Sequence, residues 1–301
     1  MSEHYPRIRA YTKHGYLLMR EGLSINFFMR CPHVDVAQAV MGSLDAYLRA
    51  VGPGSIGQYT DDQGEQRALD DSSWEFIRHQ LLKRDIAFIK LHDALSCQYR
   101  YRFEYCGHSI DDLCPEEGLG AGCAVSFWLP TEYLEEHGPG RVRELALELA
   151  APLPFCSGHA GLSFNGENEP LSMRGEERKL CFRYPGLDVP NPGRLSWRLG
   201  TRVRGAYWLT FLGQPVLGEL GGTAGLRSRL LSPSTTVQEL EGARAVVTLG
   251  KWPEAGDTEQ GLNLPAYREL ARVLEPWLYH EELGLDFEVE ETRRWERRFL
   301  D

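Results

Sequence analysis

The sequence predicts an α+β protein built on a mixed or largely antiparallel sheet covered by helices. Three observations carry that expectation. Some segments repeat apolar residues at spacings of three and four, and others alternate them. Strand-like and helix-like segments interleave along the chain, and many connections are short enough for hairpins. The 301 residues, 42% hydrophobic and 25% charged, suit a soluble globular chain that buries a large core without a disulfide or metal staple. A single domain over 1–301 is expected, with sub-lobes 1–120 and 121–280 and a charged tail, 281–301.

Gly22–Arg30 reads as the first strong strand. Asp35, with Gln38 three residues on, reads as a capping box opening a helix that Gly52-Pro53 closes. Its apolar stripe is Val34, Ala37, Met41, Leu44, Leu48 and Val51. Ser72 and Glu75 open a second helix with Trp74, Ile77 and Leu81 inward. Gln98–Tyr105 alternates Tyr and Phe as a strand does. Ala124–Leu129 is a strand, Pro130 begins a helical turn, and Val142, Leu145 and Leu149 stripe a helix that stops before Pro152. The strand–proline–helix order around Pro32 and around Pro130 suggests two similar halves. Gly205–Leu212 and Ala243–Leu249 read as strands. Leu264–Leu278 reads as a helix with Leu264, Tyr267, Leu270, Leu274 and Trp277 inward, bent or ended near Pro276. The tail Glu281–Asp301, acidic first and then basic, reads as an exposed amphipathic helix.

The formal charge of −10 argues against a general nucleic-acid binder, which needs basic surface to displace counterions. Its distribution says more. Phe103 to Gly140 holds eight acids and no Lys or Arg, and Asp61 to Glu75 holds six acids against Arg67. Arg174 to Arg204 instead carries eight basic residues and three acids. An acidic face meeting a basic partner is one reading, and ordinary solvated faces are the other. No apolar stretch approaches the ~20 residues of a membrane helix. Met1–Arg7 lacks the apolar core of a secretory signal, so a cytoplasmic protein is expected. Seven cysteines without a CxxC pair read as free, mostly buried thiols.

Motifs for chemistry are scarce. Gly52-Pro-Gly54-Ser-Ile-Gly57 matches a dinucleotide fingerprint in letters only, because a helix precedes the glycines where a strand is required. Gly118-Leu-Gly120-Ala-Gly122 lacks a phosphate-binding Lys-Ser/Thr pair. Cys106, His108, Asp111, Asp112, Cys114 and Cys123 are dense in ligand types, but their spacing does not form zinc knuckles. Gly161-Leu-Ser163 lacks the final glycine of a nucleophile elbow, and His159 alternates with Ser163 as along a half-buried strand. Paired acids such as Glu135-Glu136 carry no sign of a raised pKa, and His33, His92 and His280 are assigned no role. No catalytic, cofactor-binding or metal residue is therefore expected.

Several stretches together resemble the immunity proteins of type VI secretion effectors, a family once catalogued as a domain of unknown function. They are Val125-Ser-Phe-Trp-Leu-Pro-Thr-Glu-Tyr-Leu-Glu-Glu-His-Gly-Pro, Gly158-His-Ala-Gly161, Arg183-Tyr-Pro-Gly-Leu-Asp188 and Gly205-Ala-Tyr-Trp-Leu-Thr-Phe-Leu-Gly213. Val246-Val-Thr-Leu-Gly250, Gly256-Asp257 and a helix with Pro265 and Tyr267 complete the series. The resemblance runs from the first strand to about residue 278, and the order of the motifs carries it. It implies a non-catalytic cytoplasmic antitoxin that binds a cognate effector, in characterised relatives a nuclease, with no cofactor and no direct contact to nucleic acid or membrane. Acidic surface suits such a partner, because a nuclease cleft must be basic to hold phosphates. On charge segregation, the toxin-facing residues are expected to be Asp61, Asp62, Glu65, Asp70 and Asp71 with Asp111, Asp112, Glu116 and Glu117. Exposed aromatic residues would supply anchors. Trp208, Trp128 and Pro130 read as core and turn residues. The residues alone leave two alternatives open: a cytosolic hydrolase using Ser163 and His159, and a scaffold or adaptor for another basic partner. They leave the oligomeric state open as well.

Overall fold

The computed structural model describes residues 4–93, 98–110, 120–166, 176–281 and 286–301. The first part of the chain forms β1 (Arg9–Tyr11), β2 (Leu17–Met29), α1 (His33–Val51), β3 (Ile56–Thr60), β4 (Gln66–Ala68) and α2 (Asp71–Lys83). Then come β5 (Ala87–Asp93), β6 (Arg102–Gly107), β7 (Cys123–Pro130), α3 (Thr131–Ala150), β8 (Ser157–Gly166), α4 (Glu176–Arg183) and α5 (Pro192–Arg198). The last part holds β9 (Leu209–Leu212), α6 (Val216–Glu219), α7 (Gly222–Arg229), β10 (Thr235–Leu240), β11 (Arg244–Leu249), α8 (Pro265–Leu274) and α9 (Asp286–Glu296). The fold is mixed α+β with a largely antiparallel sheet, as the sequence predicts. Two compact units divide it. The first comprises Met1–Ser24, Ser157–Pro190 and Arg202–Asp301, and the second Ile25–Cys156 and Asn191–Thr201.

In the second unit the strands run β2-β7-β6-β5-β3-β4. Every residue of β7 is buried, and Phe103 of β6 lies opposite Phe127 with ring centroids 5.5 Å apart. Helix α1 packs with Tyr47 against Phe127, and the Tyr47 hydroxyl donates to the Trp128 carbonyl at 2.6 Å. Its buried face is Val36, Ala37, Val40, Leu44 and Tyr47 with His33 and Ser43. That corrects the expected stripe: Val34 is exposed, and Met41 and Leu48 are half-buried. The expected capping box is also absent. The helix begins at His33 after an extended Pro32, and no side chain caps it. Gly52 closes the helix with φ 82°, a conformation costly for other residues. Pro130 sits at the same position before α3, also extended, so the strand–proline–helix unit does recur. Helix α3 kinks where Gly138 leaves helical geometry and Pro139 cannot donate. Helix α2 is capped by Asp70, two residues before the expected Ser72, through a 2.8 Å bond from the Ser73 N–H.

Three strand boundaries differ from expectation for identifiable reasons. Strand β2 starts at Leu17 although it carries Arg20 and Glu21. Glu21 is buried and accepts from the Ile8 N–H at 2.8 Å, with Arg7 and Arg9 each 3.3 Å away. Strand β6 starts only at Arg102, because Tyr99 adopts φ 49° and the Asp93 carboxylate collects the Arg100 and Tyr101 N–H groups. Strand β9 starts only at Leu209, since the Thr210 hydroxyl accepts from the Tyr207 N–H and donates to its carbonyl.

In the first unit the order is β10-β11-β9-β8-β2. Strand β8 is buried on both faces, not half-buried, so its polar side chains must be paired internally. His159 Nε2 lies 2.9 Å from Asp188 Oδ2 and stacks on Tyr207, whose hydroxyl donates to Asp188 Oδ1 at 2.8 Å. Burial alone would raise the Asp188 pKa; the charges of His159 and Arg204 and both hydrogen bonds outweigh it and hold the carboxyl at about 2. Arg183 forks onto Asp257 through contacts of 3.2 and 2.9 Å, so two of the motifs noted in the sequence meet. Gly186 between them is obligatory, because a Cβ there would strike the Glu254 carbonyl. Helix α8 buries Tyr267, Leu270, Ala271 and Leu274 and passes into a 3-10 turn at Glu275–Trp277, as Pro276 requires.

The tail corrects the expectation of an exposed helix. Trp295 is 0% and Phe299 3% exposed. Glu296 pairs with buried Arg204 at 2.5 Å, and the Arg298 guanidinium lies 3.6 Å over Trp295. Glu296 pairs inside the unit while Arg293 and Arg294 stay exposed, so the charge pattern alone did not tell the buried face from the solvated one.

Two stability predictions arise here. Asp188→Asn should lower the unfolding free energy by about 3 kcal/mol, because it strips the charge from a buried pair. The Asp188 pKa is depressed from 3.8 to about 2, so its contribution is complete above pH 4 and is lost as pH falls toward 2. Denaturant titrations across that range should show this loss in the parent and not in the variant. Trp295→Ala should cost about 3–5 kcal/mol; a cost within a few tenths would mean that the tail does not belong to the core.

Candidate functional site

The five described acids of the expected surface lie in the second unit, around the β3–β4 hairpin and the start of α2. Asp61 opens the hairpin turn. Its Oδ1 accepts from the Gln63 and Glu65 N–H groups at 3.0 and 2.9 Å, and its Oδ2 accepts from Arg67 at 2.9 Å. Those bonds, the Arg67 bond first, lower its pKa. Asp62 accepts from Gln80 of α2 at 3.2 Å. Asp70 caps α2, and its pKa falls to about 2 because the Ser73 N–H and the Ser72 and Ser73 hydroxyls all donate to it. Glu65 and Asp71 are exposed. Among the described residues only Asp61 of these five is in an ion pair. Asp111, Asp112, Glu116 and Glu117 lie outside the described residues.

Helix α2 stands as a ridge with a different surface on each side. At about 100° per residue, Gln80 points away from Asp71, Trp74, Glu75 and Arg78. The hairpin therefore meets one side of the ridge, where Tyr59 also contacts Phe76 with centroids 6.2 Å apart. The other side forms a groove of about 320 Å³ with α1, lined by Met41, Asp45, Leu48, Asp71, Trp74, Glu75 and Arg78. Met41 and Leu48 belong to the expected core stripe of α1; their half-burial is what opens the groove. Asp45 was not anticipated, because a single acid on a helix carries no signal in sequence. Phe88 and Trp197, both exposed, flank His108, with centroids at 5.2 and 3.8 Å. Burial lowers the His108 pKa to about 4, so it is neutral near pH 7.

The other candidates resolve into structure. Ser163 donates to Asn165 Oδ1 at 2.6 Å and His159 is held by Asp188, both buried, so the two do not form a nucleophile–base pair. Cys106 and Cys123 lie in neighbouring strands with thiol pKa values raised by burial, and His108 bonds Ser196 at 2.8 Å. No group of three or more ligand-type side chains is poised for a metal among the described residues. Gly52 caps a helix and Ile56 starts a strand, opposite to a dinucleotide loop. Trp208 and Trp128 are buried. The basic run Arg174–Arg204 is divided: Arg204 is consumed by Glu296, while Arg178, Lys179 and Arg183 line a first-unit groove with Arg294 and Arg298.

The family model described as "TsiV: Type VI immunity for VRR-NUC" matches residues 39–299. The chain belongs to this family. The Pseudomonas aeruginosa T6SS protein PA0821 shares the fold, with a TM-score of 0.79 and 19% identity over 97% of this chain and 87% of that one. No curated protein matches the sequence. Among the described residues no helix is long and apolar enough to cross a membrane. This TsiV-family protein is thus a type VI immunity protein against a VRR-NUC nuclease effector.

The hairpin and cap make a local prediction. In a carboxyl NMR titration Asp70 should titrate near pH 2, and Asp61 below the ordinary carboxylate range. Asp70→Ala should speed amide exchange at Ser73 while leaving β5 unaffected. An ordinary midpoint near 4 for Asp70 would contradict the cap.

Proposed function

We propose that the protein neutralises its VRR-NUC effector without catalysis, binding it through the acidic surface of the second unit and occluding the nuclease site. One observation carries this reading: the hairpin turn and α2 expose Asp62, Glu65, Asp70, Asp71 and Glu75, none of them in an ion pair among the described residues. A nuclease holds phosphates with cationic side chains, so such a surface steers onto the place where DNA must bind. Asp111, Asp112, Glu116 and Glu117 extend the same acidic character in the sequence. Among the described residues of the second unit, Phe76, Phe88 and Trp197 are the exposed aromatic residues available as anchors. In this reading 1–301 serves as one immunity domain, acts in the cytoplasm where the effector meets DNA, and needs no cofactor, nucleic acid or membrane.

Two charge-reversed variants test it, one with Asp62→Lys and Glu65→Lys, the other with Asp111, Asp112, Glu116 and Glu117 all changed to Lys. Each should slow association with the effector by about tenfold at low salt, with the deficit shrinking as salt rises and the melting temperature nearly unchanged. Parent-like association in both would place the contact on another face.

A further inference from the structure

Resting on that reading, we infer that the α1–α2 groove receives an arginine side chain from the effector's phosphate-binding surface. The groove has two kinds of wall. Met41, Leu48 and half-buried Trp74 give it an apolar floor, and Asp45, Asp71 and Glu75 line it with carboxylates. No carboxylate of the groove is in an ion pair among the described residues, and Arg78 is its one lining cation, so the groove carries a formal −2.

A guanidinium satisfies both walls at once. Its flat face stacks on an indole, and its edge donates two parallel hydrogen bonds to a carboxylate. An ammonium is a compact, strongly hydrated charge that uses the rim and wastes the floor. At about 320 Å³ the groove takes side chains, not a helix. The family's partner is a nuclease, whose phosphate-binding side chains are the cations it must present to DNA. An arginine seated here is one that DNA cannot use, so capture and inhibition become the same event. The groove lies on the side of α2 away from Gln80 and the hairpin, which makes the two contacts separable by mutation.

The test measures effector affinity by calorimetry for Trp74→Ala, for Asp45→Asn with Glu75→Gln, and for Asp62→Lys with Glu65→Lys. Both groove variants should weaken binding by at least about tenfold. The Asp45/Glu75 pair is exposed, so that variant keeps its fold even if loss of Trp74 perturbs the α1–α2 packing. Parent-like affinity in the Asp45/Glu75 variant, with loss in the hairpin variant, overturns the groove and leaves the acidic-surface reading standing. Parent-like affinity in all three variants, or no complex with the parent protein, overturns both. A second arm scans effector arginines to Lys: one such change should reproduce the loss and show no further loss with the Asp45/Glu75 variant, and additive losses throughout overturn the assignment.

Discussion

Burial of strands β7, β8 and β9 on both faces is the constraint on which the rest of the structure depends. An antiparallel sheet commonly leaves one face to water and alternates polar with apolar side chains. Here β7 and β9 are buried at every position, and β8 at all but its last residue. A polar side chain on such a strand must find its partner inside the protein. His159, Asp188 and Tyr207 are one result in the first unit, and Glu21 with Arg7, Arg9 and Arg20 is another. In the second unit some inner polar groups donate to backbone carbonyls, as Tyr47 does at Trp128 and Ser43 at Leu149, and others pair with one another, as His108 does with Ser196.

The same constraint decides where the acidic surplus goes. Interior acids need polar partners, and Asp188, Glu296 and Asp257 take His159, Arg204 and Arg183. That takes Arg183 and Arg204, two of the eight basic residues of the run. Exposed acids occur on many elements, and one group of them lies at the edge hairpin β3–β4 and on α2. Turn geometry reinforces the placement, because Asp61 and Asp70 each satisfy backbone N–H groups that a turn and a helix start leave open. Local folding and surface charge therefore want the same residues in this segment. Asp62, Glu65, Asp71 and Glu75 stay exposed and in no ion pair among the described residues.

Much of this was legible in the sequence. Strong alternation and helical spacing placed α3, β7, β11 and α8 within a few residues, and the order of motifs named the family. What they could not give was the partner of a buried charge. Arg20 and Glu21 looked like a strand's end, and the tail looked solvated, because a salt bridge across 92 residues leaves no local pattern. The α1 stripe was misjudged for a related reason. Val36 and Val40 compete with Met41 and Leu48 as apolar faces, and only packing against Phe127 decides between them. The groove exists because the second pair lost. Its Met41, Leu48 and Trp74 read as core in sequence, Asp71 as partner-facing surface, and Asp45 carried no signal.

Hydrogen–deuterium exchange of the protein alone and with its effector tests the central claim most directly. The account predicts that protection on complex formation concentrates in 41–48 and 56–83, the segments of the groove, the hairpin and α2. Protection confined to 176–183 and 286–301, around the basic groove of the first unit, would contradict it.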